Sequence, residues 1–525
     1  MTRYRRPLLA AAGGVVSALA LPPTDVYPAM LVGLALFAAA IRGVDGFWRG
    51  FGLGALWGTA GQLIGMRFVP SVIQMFTDLG MAAALLAHVL LSAAQSLHWA
   101  LGMGLAAVLH RRFKTPLELS FGGGMLLALC LPSVFVWSPA GLLSPWPIWV
   151  QSAEYVGERG VSVLLAIVAA LAVRATIAQR RHGWTRPTKM PAAAALGMLA
   201  LMAAHGAWAM HRWGSEEGDT ARLALIHAAV DPKVRWQKSN WPRILAELKR
   251  QTAAAEATGV DLSVWPEAAY PYKLPNTARR APRGRRQLVG GAVRGPILFG
   301  LITQASPVQL PSGQWERNKY NSATLVFPNG RLLAPYDKME LLWFGETVPL
   351  GQHLPWLRRL FQRSGGLIPG AELRGLTLER RHGAPLQMAV LNCYEDTLPT
   401  LGRRMMRQLR PNLLVNVTND AWFVGTQEPV LHERLAAMRS IELRRDMVRA
   451  VNLGVTGWID AAGRVRARRE ATEPGWLLVT PSLRQSPPTL YARFGDLPMV
   501  VALVLGIAGV GLRRPLRRDE AIDSV

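Results

Sequence analysis

Three short stretches of this chain put a reactive group where a strand should end. In DLSVWPEAAYP the carboxyl of Glu267 follows an apolar run and sits in backbone stiffened by Pro266 and Pro271. Beside Trp265 it would be partly desolvated, which suits a carboxylate to accept a proton near neutral pH. In PYDKMELL, Lys338 stands at a strand exit in a region whose basic residues are overwhelmingly arginine. A compact ammonium can donate to an oxyanion where a guanidinium fork would be too large. In LNCYED the thiol is Cys393, and the only other cysteine, Cys130, lies inside an apolar run. A lone thiol in an oxidising compartment is a liability unless it is used. Taken singly, each residue is ordinary: a surface carboxylate, a solvated lysine, a small buried side chain. Taken in this order, each at the end of a strand, they are hard to dismiss.

The elements that must position them alternate between short apolar runs and helical patterns. From about residue 221, ARLALIHAAV reads as a buried strand and NWPRILAELKRQTAAAEATG as an amphipathic helix closed by Gly259. DLSVWPE, QLVGGAV, ILFGLITQ, YNSATLVFP, LQMAVLNC and NLLVNVTND read as further strands. The last two flank a helical stretch to about Arg410, and HERLAAMRSIELRRD reads as a second long helix. VRAVNLGVTGWID and a turn at Gly463 complete the region. Strands and helices mixed at this density indicate a layered α/β domain. It carries neither a GxGxxG nor a Walker pattern, so a nucleotide is not suggested.

The rest of the chain has a different solvent. Of 525 residues 50% are hydrophobic and 18% charged, and long stretches almost free of charge fill the first two hundred. Runs near the length of a bilayer-spanning helix occur at 7–23, 27–41, 50–66, 80–109, 119–138, 161–179 and 190–210, with an eighth at 496–512. Arg174 lies inside the sixth and should snorkel or face protein. With the N-terminus in the cytoplasm, the cytoplasmic flanks hold Arg3, Arg5, Arg6, Arg42, Arg49, Arg111, Arg112, Lys114, Arg180, Arg181, Arg186, Lys189 and Arg513, Arg514, Arg517, Arg518. The short outer loops hold little beyond Arg67 and Arg159. That is the positive-inside pattern. It divides the chain into a membrane domain (1–211), an extracytoplasmic domain (212–495), and a closing helix with a basic tail (496–525). Much of the formal charge of +25 is then topological signal rather than a nucleic-acid surface. A further cluster, Arg279, Arg280, Arg283, Arg285 and Arg286, fits phospholipid headgroups and plain solvation equally well.

Read together, VWPEAAYP, YNSATLVFPNGRLLAPYDKMELLWFGETVP, LNCYED and LLVNVTNDAWF resemble the nitrilase, or carbon–nitrogen hydrolase, superfamily with its Glu–Lys–Cys triad. LALPPTDVYP, AEYVGERGVSVLLA and TLYARFGDLP are similar to the apolipoprotein N-acyltransferase family within it. So is the plan of seven spans, an inserted domain and one closing span. The resemblance implies a polytopic α-helical protein of the bacterial inner membrane, with a periplasmic αββα sandwich, cytoplasmic termini and a monomeric state. It implies a phospholipid as acyl donor, a diacylglyceryl apolipoprotein as acceptor, and neither metal nor cofactor. Glu267 would take the proton of Cys393, whose thiolate would attack the donor ester, and Lys338 would hold the oxyanion. Glu346, Tyr394 and Glu395 match further family positions near the triad, and Trp236 matches a tryptophan taken to line the acyl site.

This chain also departs from the family pattern. Asn392 precedes the cysteine where an apolar residue is usual, Trp343 and Thr347 alter the rim, and Val424 replaces a glycine, whereas Pro429 and His432 match. A rival reading uses the same triad: a membrane-anchored amidase or nitrilase-type hydrolase, in which water resolves the thioester.

Overall fold

The computed structural model describes residues 4–512 apart from 216–217, 310–314, 317, 350, 352, 355, 357–358, 360 and 362–365. Arg3 and the basic tail at 513–518, on which part of the orientation reading rests, lie outside the described residues.

The apolar runs are helices, with edges that differ from the expected ones. Arg5–Ala18, Pro28–Ile41, Phe47–Gly65, Ala153–His182, Arg186–Trp213 and Leu497–Leu512 correspond to runs one, two, three, six, seven and eight. The long fourth run becomes Met81–Gln95 and Leu97–Arg111, meeting at Ser96. The fifth is helical only over Leu117–Cys130, and its remainder leads as connector into the short helix Pro139–Leu142. Three of these segments, Met81–Arg111, Ala153–His182 and Arg186–Trp213, are long and apolar enough to cross a bilayer. The protein is a membrane protein. Its helices approach closely through small residues: a Cβ at Gly102 would stand 2.2 Å from the carbonyl oxygen of Gly124. Arg174 pairs with Glu118 of the neighbouring helix Leu117–Cys130, so its charge is met by protein.

The inserted domain is built from two sheets. One runs Gly475–Val479, Leu223–His227, Leu262–Val264, Ile297–Gln304, Lys319–Val326, Tyr336–Asp337, with Tyr270–Pro275 also pairing with Ile297–Gln304. The other runs Val465–Glu470, Val455–Ile459, Met447–Asn452, Leu413–Asn419, Leu386–Asn392, Leu376–Leu378. Leu225, Val264 and Leu325 of the first meet Val390, Val415 and Val448 of the second in one apolar layer. Helix Trp241–Glu256 covers the outer face of the first sheet through Leu245, which packs with Ile226 and Phe299. Helices Pro399–Leu409 and Glu428–Leu443 cover the second. The arrangement is helix, sheet, sheet, helix. In each sheet the central strands are parallel, so their carboxyl ends share an edge, and Glu267 and Cys393 follow two such ends.

Two expected elements differ. QLVGGAV is not a strand: Gly290 and Gly291 turn the chain back, and the Gly290 amide donates to Val293 O at 2.7 Å. VRAVNLGVTGWID splits at Leu453 into antiparallel strands Met447–Asn452 and Val455–Ile459.

The two halves are joined by buried charge. Helix Ala153–His182 breaks at Gly157, whose φ of +71° a side chain would resist and where a Cβ would lie 2.3 Å from the Tyr491 ring. The break leaves the Glu158 amide free to donate to Glu442 Oε1 at 2.7 Å. Arg439 donates to Glu158 at 2.5 Å and to Glu442 at 2.8 Å, and Arg444 donates to Glu154 at 3.0 Å. Arg434 forks onto Asp25 at 2.5 and 3.0 Å, and Arg159 pairs with Asp496 at 2.8 Å. The three stretches similar to the acyltransferase family (LALPPTDVYP, AEYVGERGVSVLLA and TLYARFGDLP) thus all contribute to this seam.

Candidate active site

Glu267, Lys338 and Cys393 come together at the shared edge of the two sheets. Each stands just beyond a strand: Leu262–Val264, Tyr336–Asp337 and Leu386–Asn392 respectively. The Cys393 thiol and the Glu267 carboxylate line the same cavity, close enough for each to influence the other's protonation. Lys338 Nζ lies 3.9 Å from Glu267 Oε1 and 2.7 Å from Glu346 Oε2, with its side chain 1% exposed. Glu346 is fixed in turn by the Leu342 amide at 2.9 Å.

Electrostatics set the resting protonation. Burial, and then the negative charge of Glu267, push the Cys393 thiol well above its ordinary value, so it rests neutral. Burial also raises Glu267, against the pull of Lys338. For Lys338 burial works against the charge, but the carboxylates of Glu346 and Glu267 outweigh it and keep the ammonium charged. A neutral thiol beside a carboxylate can lose its proton as its sulfur attacks, and a charged donor close by can receive the oxyanion.

The turn carrying Cys393 is strained and held. Cys393 has φ +58°, and Asn416 Nδ2 from the neighbouring strand donates to both Leu391 O and Cys393 O at 3.0 Å. Thr418 donates to Asn416 Oδ1 at 2.6 Å, which fixes the amide's orientation. A second amide serves the carboxylates: Asn321 Nδ2 donates to Glu267 at 2.5 Å and to Glu346 at 2.8 Å, while its Oδ1 accepts from Asn392 Nδ2 at 3.1 Å. The departure at Asn392 is therefore the far end of a relay that ends on Glu267.

Glu395 lies behind the site. It accepts from Tyr336 Oη, the Met339 amide and the Asn392 amide at 2.8 Å each, and from the Glu340 amide at 3.0 Å. Burial pushes its carboxyl up to about 7. Tyr394 donates to Leu341 O at 3.1 Å and turns its ring to Lys338 Nζ, 5.3 Å from the centroid. Trp265 does not face Glu267 as the sequence reading had it. Its indole is buried against Phe299 and donates to Thr252 at 2.9 Å, on the side of helix Trp241–Glu256.

The cavity is about 610 Å³, within the range of small-molecule sites. Glu267, Lys338, Cys393 and Glu346 line one side; Val69, Ile73 and Phe76 of a short helix (Val69–Phe76) connecting the third and fourth apolar runs, with Leu91 of Met81–Gln95, line the other. Trp236, 50% exposed, also lines it, its ring 5.9 Å from Trp422, which lies 4.8 Å from Phe76. Asp420, Glu428 and His432 have ligand atoms within 4.8 Å of one another. Both His432 nitrogens are already taken, by Asp396 at 2.9 Å and Asp420 at 3.1 Å, so the imidazole joins two carboxylates instead of offering a lone pair.

Residues 222–485 match the carbon–nitrogen hydrolase family, and residues 13–171 match the apolipoprotein N-acyltransferase N-terminal domain. An apolipoprotein N-acyltransferase of Bradyrhizobium diazoefficiens is 30% identical over 98% of this chain and 96% of its own. One from Rhodopseudomonas palustris is 30% identical over 97% and 96%. This chain belongs to the apolipoprotein N-acyltransferase family. An amidase from Nesterenkonia sp. is similar at 19% identity and a TM-score of 0.35, over 55% of this chain and 97% of its own. In this apolipoprotein N-acyltransferase family member the structure brings the expected residues Glu267, Lys338, Cys393, Glu346 and Trp236 around one cavity, with Tyr394 and Glu395 beside it. The sequence reading assigned nothing to Asn321 or Asn416. A polar amide inside the apolar run LLVNVTN was the available signal for Asn416, since asparagine is depleted in strands.

Proposed function

We propose that this protein transfers an acyl chain from a phospholipid to the α-amine of an S-diacylglyceryl cysteine at an apolipoprotein's N-terminus. The observation that carries the reading is the cavity that joins Cys393 to apolar side chains of the membrane domain (Val69, Ile73, Phe76 and Leu91), since both substrates bear chains that should not cross water. Cys393 Sγ attacks the donor's ester carbonyl carbon while Glu267 takes the thiol proton, and Lys338 meets the oxyanion. The C–O bond breaks, and the lysophospholipid oxygen leaves with the proton from Glu267. The acceptor amine then attacks the thioester, Glu267 accepts its proton, and collapse of the second tetrahedral intermediate releases Cys393 as thiol and forms the amide. Glu346 keeps Lys338 aimed, Tyr394 and Glu395 hold the loops around it, and Trp236 lines the acyl path.

In this reading the chain forms eight spans, with 212–495 in the periplasm between the membrane domain (1–211) and the closing segment (496–525), and acts as a monomer. The one-sided distribution of arginine supports the orientation. Reporter fusions near residue 215 and at the C-terminus test it; a reporter at 215 active only in the cytoplasm would refute it.

Acceptor chemistry separates transfer from hydrolysis. Purified protein given phospholipid alone should accumulate a hydroxylamine-sensitive acyl group on Cys393, because an apolar cavity keeps water away. A diacylglyceryl peptide with a free α-amine should discharge it into an amide, and its N-acetylated form should not. Rapid release of fatty acid without peptide would instead identify a hydrolase.

A further inference from the structure

The wall of the catalytic cavity carries cations that the acyl-transfer chemistry leaves unused. Arg235, Lys273 and Lys319 line it beside Trp236, and Lys238 lies close to Lys273. The strands explain how they meet. Tyr270–Pro275 and Lys319–Val326 flank Ile297–Gln304 on opposite sides, with Leu274 paired to Thr303 and Lys319 to Gln304. Lys273 therefore stands beside Ile302, which itself lines the cavity, and Lys319 stands on the other side of the same strand two residues further along, opposite Gln304. Arg235 donates to Ala269 O at 3.3 Å, which leaves most of its guanidinium donors uncommitted.

The carboxylates of this cavity are spoken for. Glu267 and Glu346 are held by Lys338 and Asn321. Among the described residues, none of Arg235, Lys238, Lys273 and Lys319 forms an ion pair with an acid. Crowded like charges disfavour one another, and burial together with Lys319 and Lys238 lowers Lys273 from its ordinary value. An anion placed among them would relieve that repulsion and gain charge-assisted hydrogen bonds.

We propose that Arg235, Lys273 and Lys319 form a phosphate-binding subsite that receives the phosphodiester of the phospholipid donor. The inference rests on the transfer reading and adds to it how the donor is recognised. In a glycerophospholipid the phosphate is a glycerol's length from the ester carbonyl. A donor whose ester sits at Cys393 therefore keeps its phosphate within the same cavity. The subsite selects phospholipid over neutral acylglycerols, whose esters are chemically equivalent but carry no anion.

Binding tests this without relying on turnover. Full-length Cys393→Ala protein in a neutral detergent should bind short-chain phosphatidylglycerol at least tenfold more tightly than the matching diacylglycerol. Lys273→Gln with Lys319→Gln should abolish that preference while leaving diacylglycerol binding unchanged, and Lys273→Arg with Lys319→Arg should retain it. Rising salt should weaken the phospholipid arm selectively. Equal binding of both lipids by the parent protein, or an unchanged preference in the double glutamine variant, would overturn the subsite. Inorganic phosphate supplies the third arm. If it displaces the phospholipid at concentrations below the lipid's own Kd, the site belongs to free phosphate and the headgroup assignment falls. Acyl loading of Cys393 in the unsubstituted protein is scored separately: its absence, with the lipid preference intact, refutes the transfer reading and not the subsite.

Discussion

Glu395, two residues beyond Cys393, receives the backbone amides of Met339 and Glu340, the two residues that follow Lys338. One buried carboxylate thus sets the separation between the sulfur and the ammonium, each of which lies on a different sheet's loop.

Removing that carboxylate should cost position and stability together. Glu395→Ala leaves four donors without their acceptor, and the two buried ones, Tyr336 Oη and the Asn392 amide, each cost about 1–3 kcal/mol. We expect a fall in Tm and loss of acyl loading by at least 100-fold. Glu395→Gln keeps one carbonyl for the paired amides but turns an NH2 towards another donor. It should fold and load more slowly than the parent. Thermal unfolding and the rate of hydroxylamine-sensitive acylation check both; loading at the parent rate in the alanine variant would contradict the positioning role.

Asn416 should matter to reactivity more than to folding. Asn416→Ala frees the Leu391 and Cys393 carbonyls and lets the left-handed turn relax. Acyl loading should drop 10- to 100-fold. Alkylation of Cys393 by iodoacetamide, measured alongside, should change rate as the thiol shifts from Glu267. Asn416→Asp, which cannot donate to those carbonyls when ionised, should not rescue it.

The His432 link predicts an alkaline weakness. Burial opposes the imidazolium, but Asp396 and Asp420 outweigh it and push His432 up to about 10 from an ordinary 6.5. A raised folded value means the stabilisation is complete below about pH 6.5 and fades as pH rises towards 10. The Tm of the parent protein should fall across that window. His432→Gln should be less stable at pH 6 and should lack this part of the slope; parallel curves for the two proteins would rule the link out.

At the seam, Gly157→Ala would drive a methyl into the Tyr491 ring and strain a positive φ. Overpacking of this kind costs about 1–3 kcal/mol. Limited proteolysis of the connectors flanking the inserted domain should accelerate, and Tyr491→Ala in the same chain should recover part of the loss.

The parts of this molecule legible in sequence were those written in local pattern. Buried strands such as 413–419 declare themselves as continuous apolar runs, and the reactive residues stand at their ends. Strand Val465–Glu470 went unread because VRARRE turns charge to solvent and has no apolar alternation to follow. Trp265 misled because the strand stops at Val264, and residues i and i+2 share a face only while a strand continues. Here the chain turns at Glu267 and Ala268 (φ +46° at Ala268), so Trp265 packs with Leu245 and Leu248 of helix Trp241–Glu256 while Glu267 lines the cavity. The pairing of Glu154 and Glu158 with Arg444 and Arg439 joins positions nearly three hundred residues apart, and no local pattern encodes such partners.

Those ion pairs also govern how the chain can be assembled and cut. Excised alone, the α/β half would present Arg439 and Arg444 from positions that are fully buried in the intact chain, with their distant acids gone. It is therefore not a detachable module, although it has a core of its own. In chain order Glu154 and Glu158 precede the α/β half, so the acids that Arg439 and Arg444 meet are already in the chain when those arginines are added.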